Sequence, residues 1–330
     1  MLLLACLSRR PYFAPFRARF FMRGVDITNC RAAAGGGVAV HHLDGATESR
    51  GASVLPSVDW RDVTFTSCAA ARIMSTDSLP ATQSLHYGGG AFLAMADAWT
   101  ARLESVTMRS CTAVHVGGGL AAFANMLITS SLFESNTAMG EWKNAGMEEH
   151  RVGSGGGFAW HAGHEGLYAD PMGLHCRVGA AWGQANCLVG RFGAATLELN
   201  SSTFTSNLAR VSGGGLAIFN GREGTAVNDA NFTDCGLIND DTAATLRYAV
   251  GGGVAIWGSE HVTSTLRRTT FKDCYTRMNR PALGAVTGGA ALWAYAPPSA
   301  PSCPPRTTSC PSYPCPWSIT CSSTTVHLQE

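Results

Sequence analysis

Seven times along this chain an apolar residue is followed five positions later by a large apolar residue, and three positions after that by cysteine or asparagine. The leading positions are Met22, Trp60, Leu103, Ile128, Leu199, Val227 and Leu266, and the second are Ile27, Phe65, Met108, Phe133, Phe204, Phe232 and Phe271. The third are Cys30, Cys68, Cys111, Asn136, Asn207, Cys235 and Cys274. Glycine blocks alternate with these units, beginning at Gly35, Gly88, Gly117, Gly155, Gly213, Gly251 and, shortened to two, Gly288. Each block leads into a short apolar segment: VAV, AFL, LAA, FAW, LAI, VAI and AAL, with alanine in the middle of all but the second. An internal repeat of this kind demands an architecture in which neighbouring units complete one another's core.

The apolar segments are too short for ordinary helices and are bounded by glycine, which predicts strands. In a strand, alternate side chains share a face. Leu216 with Ile218 and Val254 with Ile256 therefore point into a core, and the alanine between them points away. The odd spacing of five would put Leu199 and Phe204 on opposite faces of a straight strand, so a corner is expected between them. Ser, Thr, Asn and Asp crowd that interval, as turns require. In FTSNLARVSGGGLAIF, residues 204–219, Phe204 is expected in the core, Asn207 at a corner and Gly213, Gly214 and Gly215 in a turn that uses positive φ.

The smallest spacing between equivalent columns is 25 residues, from Leu103 to Ile128, enough to close one coil of a parallel β-helix with rungs about 4.8 Å apart. The expected fold is all-β: a right-handed parallel β-helix of about seven coils, with loop insertions only after the Cys/Asn column and after the glycine strand. A β-propeller has blades of similar length, but it needs hairpin turns, and Asn-Gly and Asp-Gly occur only at Asn220-Gly221 and Asp44-Gly45. The expected division is an N-terminal segment at 1–20, with a mis-set or truncated start, repeats at 21–295, and a Pro/Cys/Ser-rich tail at 296–330. That tail is expected to be disordered or disulfide-tied, because proline removes ladder donors.

The GGA[I/L/V] and FxxN pairing resembles the repeats of chlamydial polymorphic outer-membrane proteins, which belong to the pectin-lyase-like right-handed β-helices. FTSNLARVSGGGLAIF and Phe133-Glu134-Ser135-Asn136 fit it closely, and the resemblance spans roughly 22–295. It implies a β-helix and, by analogy, surface adhesion. Cys30, Cys68, Cys111, Cys235 and Cys274 depart from the pattern's asparagine, and the glycine pair is usually a triplet here. No membrane-barrel segment of the kind those proteins carry is read at the C-terminal end.

Charged residues make up 14% of the chain and the formal charge is +1, which lacks the basic footprint of a nucleic-acid binder. No stretch of about 20 apolar residues spans a membrane. Twelve cysteines and the sequons at Asn200 and Asn231 point towards an extracellular or cell-surface location. Parallel side chains in the cysteine column are poor geometry for a disulfide ladder, so small buried residues stacking at a corner are expected there. The longest interruption, between Gly157 and Leu199, holds His161, His164, Glu165 and His175 as weak metal-ligand candidates without a recognised ligand motif. Cys176 and Cys187 could close a disulfide loop within it.

The function expected is a non-enzymatic surface or secreted module, adhesin-like or structural, that presents corner loops to a protein or glycan. No cofactor is expected. The alternative is a polysaccharide lyase or glycoside hydrolase, for which Asn239-Asp240-Asp241 offers a paired-carboxylate candidate, without the His-Gly and Arg-x-Lys companions of polygalacturonases.

Overall fold

A computed structural model describes residues 20–32, 35–41, 57–71, 87–95, 100–140, 153–161, 195–219, 225–239, 248–257, 264–278, 286–295 and 326–329. Among the described residues there is no helix, and every strand pairing is parallel. The strands form a 13-stranded sheet, two 7-stranded sheets and one two-stranded pair, as expected of a parallel β-solenoid. One repeat illustrates the order. Leu197–Asn200 and Thr203–Thr205 lie in the first sheet, Leu208–Ala209 in the second, and Leu216–Phe219 in the third.

Each sequence column is a row of register partners. Met22 pairs with Trp60, Trp60 with Leu103, Leu103 with Ile128, Ile128 with Leu199, Leu199 with Val227, and Val227 with Leu266. Ile27, Phe65, Met108, Phe133, Phe204, Phe232 and Phe271 pair in the same succession. The phenyl rings stack: Phe133 on Phe204 and Phe204 on Phe232 at 4.7 Å, and Phe232 on Phe271 at 5.2 Å. Full burial of the Phe133, Phe204 and Phe232 rings contributes about 1.5–3 kcal/mol each, and each ring pair adds about 0.5–1.5 kcal/mol.

The odd spacing of five is resolved by one left-handed residue. Ser201 has φ 49° between Leu199 and Phe204, and Ser105, Ser130, Asp229 and Arg268 occupy the same place in other repeats. The reversal lets both columns face one core, where Leu199 and Phe204 are fully buried. A second left-handed residue, such as Ser206 or Asp234, precedes the Cys/Asn column. Short polar side chains tolerate this conformation better than bulky ones, which explains the Ser, Asp and Asn at both corners. Inward hydroxyls complete the first corner. Ser131 Oγ donates to Thr129 O at 2.9 Å and accepts from Val106 N at 3.2 Å, and Ser202 Oγ accepts from Ser131 N at 3.3 Å.

Each glycine of a triplet has its own reason. Gly213 has φ 61°. A Cβ on Gly214 would lie 2.3 Å from Gly252 O and 2.4 Å from Gly236 O, because the turn presses on both the next repeat and the second sheet. A Cβ on Gly215 would meet the Phe232 ring at 2.7 Å. The last block departs from the expected register. Gly289, with φ 62°, occupies the first place of the triplet and Gly288 pairs with Val250, so Ala290 and Ala291 replace the second and third glycines. Among the described residues no further glycine turn stacks beyond them, so their methyl groups meet no following backbone. The strand begins at Leu292, and its middle residue is Trp293 rather than Ala291.

Third-sheet strands alternate as expected, with Leu216 and Ile218 in the main core and Ala217 on the other face. The second-sheet strands after the Cys/Asn column, two residues long in five repeats and four in the last two, are too short to carry a period in the sequence. Insertions enter only between the second and third sheets and between the third and first, so both borders of the third sheet carry them. The shortest such connection is Ala124 alone, joining Leu120–Phe123 to Asn125–Thr129. Val326–Gln329 pairs with Ser264–Arg267, extending the first sheet by one strand. The proline-rich stretch at 296–325 lies outside the described residues, as does 1–19.

Candidate functional site: the corner column and the outer face of the third sheet

At the second corner, asparagine and cysteine satisfy the same backbone groups. Asn207 Oδ1 accepts from Asn136 N at 3.0 Å, and Asn207 Nδ2 donates to Phe133 O at 2.8 Å. Asn136 repeats the pattern, accepting from Cys111 N at 2.9 Å and donating to Met108 O at 2.8 Å. The thiols reproduce the donating half of it. Cys235 Sγ donates to Phe204 O at 3.5 Å, and Cys274 Sγ donates to Phe232 O at 3.5 Å. A thiol can therefore stand where the repeat's asparagine stands.

Cys68, Cys111, Cys235 and Cys274 are free thiols, the first three buried and Cys274 half-buried. Cys30 is disulfide-bonded and so departs from the rest of the column. The hydrogen bond with Cys274, followed by burial, pushes the Cys235 thiol up. The same bond, seen from its other end, draws Cys274 down to about 7. Cys111 is likewise pushed up by its bond with Cys68 and by burial.

The outer face of the third sheet carries a second apolar layer. Its fourth strand positions place Phe123, His161, Phe219 and Trp257 in a row, with the His161 ring stacked between Phe123 at 4.4 Å and Phe219 at 4.5 Å. Tyr87 packs on Phe92 and Phe123, and Trp257 on Trp293. The preceding row, Tyr87, Val116, Ser154, Ser212 and Val250, is linked by parallel bridges. In it, Ser154 and Ser212 hydroxyls share a 2.8 Å hydrogen bond, and Trp257 Nε1 donates to Ser212 Oγ at 3.2 Å. This layer is buried, so it serves packing and orientation at the borders where the insertions enter. Reading each strand one residue further, as FAWH, LAIF and VAIW, would have exposed the aromatic row in the sequence.

No family model, curated protein or solved structure matches the chain.

The sequence candidates fall in different places. His161 sits in Phe158–His161, buried in the aromatic row. His164, Glu165, His175, Cys176, Cys187, Asp240 and Asp241 lie outside the described residues. Among the described residues no group of three or more His, Cys, Asp or Glu side chains is placed to hold a metal ion, and no helix is long and apolar enough to cross a membrane. Asn239 is buried and pairs with Met278. Asn231 is exposed on the outer face of the first sheet, whereas Asn200 is half-buried in a ladder, its Nδ2 donating to Glu198 and its Oδ1 accepting from Asn228 Nδ2 at 2.9 Å.

Four carboxylates on or beside the first sheet, Asp59, Glu104, Glu134 and Asp229, are tied to arginines. Asp59 contacts Arg61 at 3.1 Å, which also reaches Glu104 at 3.7 Å. Glu134 contacts Arg109 at 2.6 Å, and Asp229 Oδ2 accepts from Arg268 Nη2 at 2.7 Å. These pairs sit on the solvent side and neutralise the acids they engage.

Proposed function

We propose that this chain is a right-handed parallel β-helix of about seven coils, of the pectin-lyase-like class, acting as an extracellular or cell-surface presentation module, adhesin-like or structural. The observation that carries this reading is the confinement of every insertion to the two borders of one sheet, over a stack whose columns run without interruption from Met22 to Leu266. Loops held on a rigid scaffold are where recognition resides. The four arginine-tied acids Asp59, Glu104, Glu134 and Asp229 favour a supporting surface at those positions over an acid–base pair, since two carboxylates that share catalytic work need different environments.

The test is a loop deletion designed from the register. Removing 162–194 leaves His161-Ala195-Thr196 in the place that Phe123-Ala124-Asn125 holds one repeat earlier, because Met126 pairs with Leu197. The presentation reading expects the full chain to bind intact cells or a glycan array and the deletion to keep its β-sheet spectrum while losing that binding. Release of reducing ends or unsaturated products from uronate polymers would overturn it in favour of a polysaccharide lyase or glycoside hydrolase.

A further inference from the structure

We propose that Cys235 and Cys274 form a two-thiolate site for a soft monovalent metal cation of the Cu(I) class. The two residues hold equivalent places in adjacent repeats, bracketed by the register pairs Thr233 with Lys272 and Gly236 with Tyr275. Their thiols point the same way. Cys235 Sγ donates to Phe204 O and Thr233 O, and Cys274 Sγ to Phe232 O and Lys272 O, over 3.5–3.7 Å. Parallel thiols one rung apart, about 4.8 Å, are badly placed for an S–S bond of about 2.05 Å. They are well placed for a linear bridge, since two metal–sulfur bonds of about 2.3 Å laid end to end span about 4.6 Å.

Three further features favour this pair. Both thiols are free. Asn207 Nδ2 approaches Cys235 Sγ at 3.9 Å and supplies a donor to the charge that a thiolate brings. Access is the third. Cys68 and Cys111 share the geometry but are sealed in the column between Cys30 and Asn136, whereas Cys274 is half-buried beside a half-buried Phe271, at the last described rung of its column. Binding converts two thiols and one cation into a bis-thiolate complex of net charge −1 and releases two protons. No electron is transferred. Soft thiolate ligands select this class of ion over harder divalent metals.

The experiment is anaerobic titration of the full chain, without reductant so that the Cys30 disulfide persists, with Cu(I) against a chromophoric Cu(I) chelator. Wild type is compared with Cys274→Asn, Cys235→Asn and Cys111→Asn, asparagine being the residue the column already accepts. One equivalent of the tightest bound Cu(I) should disappear, or weaken at least tenfold, in the first two variants and remain in the third. Equal stoichiometry and affinity in all four proteins would overturn the site. Should a variant fail to fold, wild type still decides. One equivalent of Cu(I) should slow alkylation of Cys274, read by peptide mass spectrometry, at least tenfold, and unchanged alkylation would refute the bridge.

Discussion

Asn207 Oδ1 accepts two hydrogen bonds from Asn136, one from its backbone N–H and one from its side-chain Nδ2, each at 3.0 Å. With Nδ2 donating to Phe133 O, a single amide satisfies three buried groups. Asn207→Ala removes the partner of the Asn136 backbone N–H and of Phe133 O, while Asn136 Nδ2 keeps its bond to Met108 O. An unsatisfied buried group costs about 1–3 kcal/mol, so a loss of about 2 kcal/mol or more is expected in urea unfolding. Asn207→Cys should lose less, because the column's thiols donate to the same backbone carbonyl. Equal losses for the two variants would show that sulfur does not replace the amide here.

That exchange also marks how far the sequence could be read. Columns of apolar residues were legible because burial repeats in register, and Phe204 and Leu199 announced themselves by size. Spacing alone put cysteine and asparagine in one column, but the reason they exchange was not legible, since the two share no hydrophobicity and their likeness lies in donating to the same backbone carbonyl. The three glycines were visible as a block, yet their separate causes required neighbours from two other repeats. The last strand starts two residues later than the AAL segment suggests, because Ala290 and Ala291 imitate the apolar run that follows a complete triplet. The aromatic row through Phe123, His161 and Phe219 was missed for a simpler reason: it lies one residue beyond the point where the alternation had been followed.

Gly214→Ala should prevent folding, since its methyl would need space held by the backbone of Gly252 and Gly236 at under 2.5 Å. Ala290 occupies the equivalent place in the last repeat, so Ala290→Gly should change the melting temperature little. Circular dichroism of the two purified variants measures both outcomes, and a well-folded Gly214→Ala protein would contradict the close approach.

Thr225 and Ser264 are register partners in a buried row that elsewhere holds Val58, Met126 and Leu197, and neither hydroxyl has a hydrogen-bond partner. Thr225→Val keeps the shape and removes an unsatisfied group, so stability should rise by about 1 kcal/mol. A shift of the urea midpoint to lower concentration would count against this account.

Phe232 stands between Phe204 and Phe271 with its ring fully buried. Phe232→Leu should cost about 1–3 kcal/mol through lost contacts. Phe232→Asp should leave no folded protein, because the carboxylate would be buried without a partner. Soluble, cooperatively melting Phe232→Asp would break the register.

The Arg268 guanidinium, through its hydrogen bonds, holds Asp229 below the usual carboxylate range. A depressed carboxyl stabilises the fold above its unfolded pKa, and that contribution is lost as pH falls through the folded value. Both groups are exposed, so the effect is small. Asp229→Asn should melt slightly lower than wild type at neutral pH, and the two curves should converge in acid below the ordinary carboxylate range.

The unequal insertions also set a kinetic order. The hydrogen bond from Cys111 N to Asn136 closes 25 residues, whereas that from Asn136 N to Asn207 closes 71. Closing the longer loop costs about 1 kcal/mol more in chain entropy, and non-local pairing is the slow part of β-sheet assembly. The strands from Thr100 to Ala138 are therefore the natural nucleus, and the junction between Asn136 and Asn207 is the seam that zips later. Pulse-labelled hydrogen exchange would see amides such as Cys111 N protected before Asn136 N, which makes one long loop the pacemaker of the whole stack.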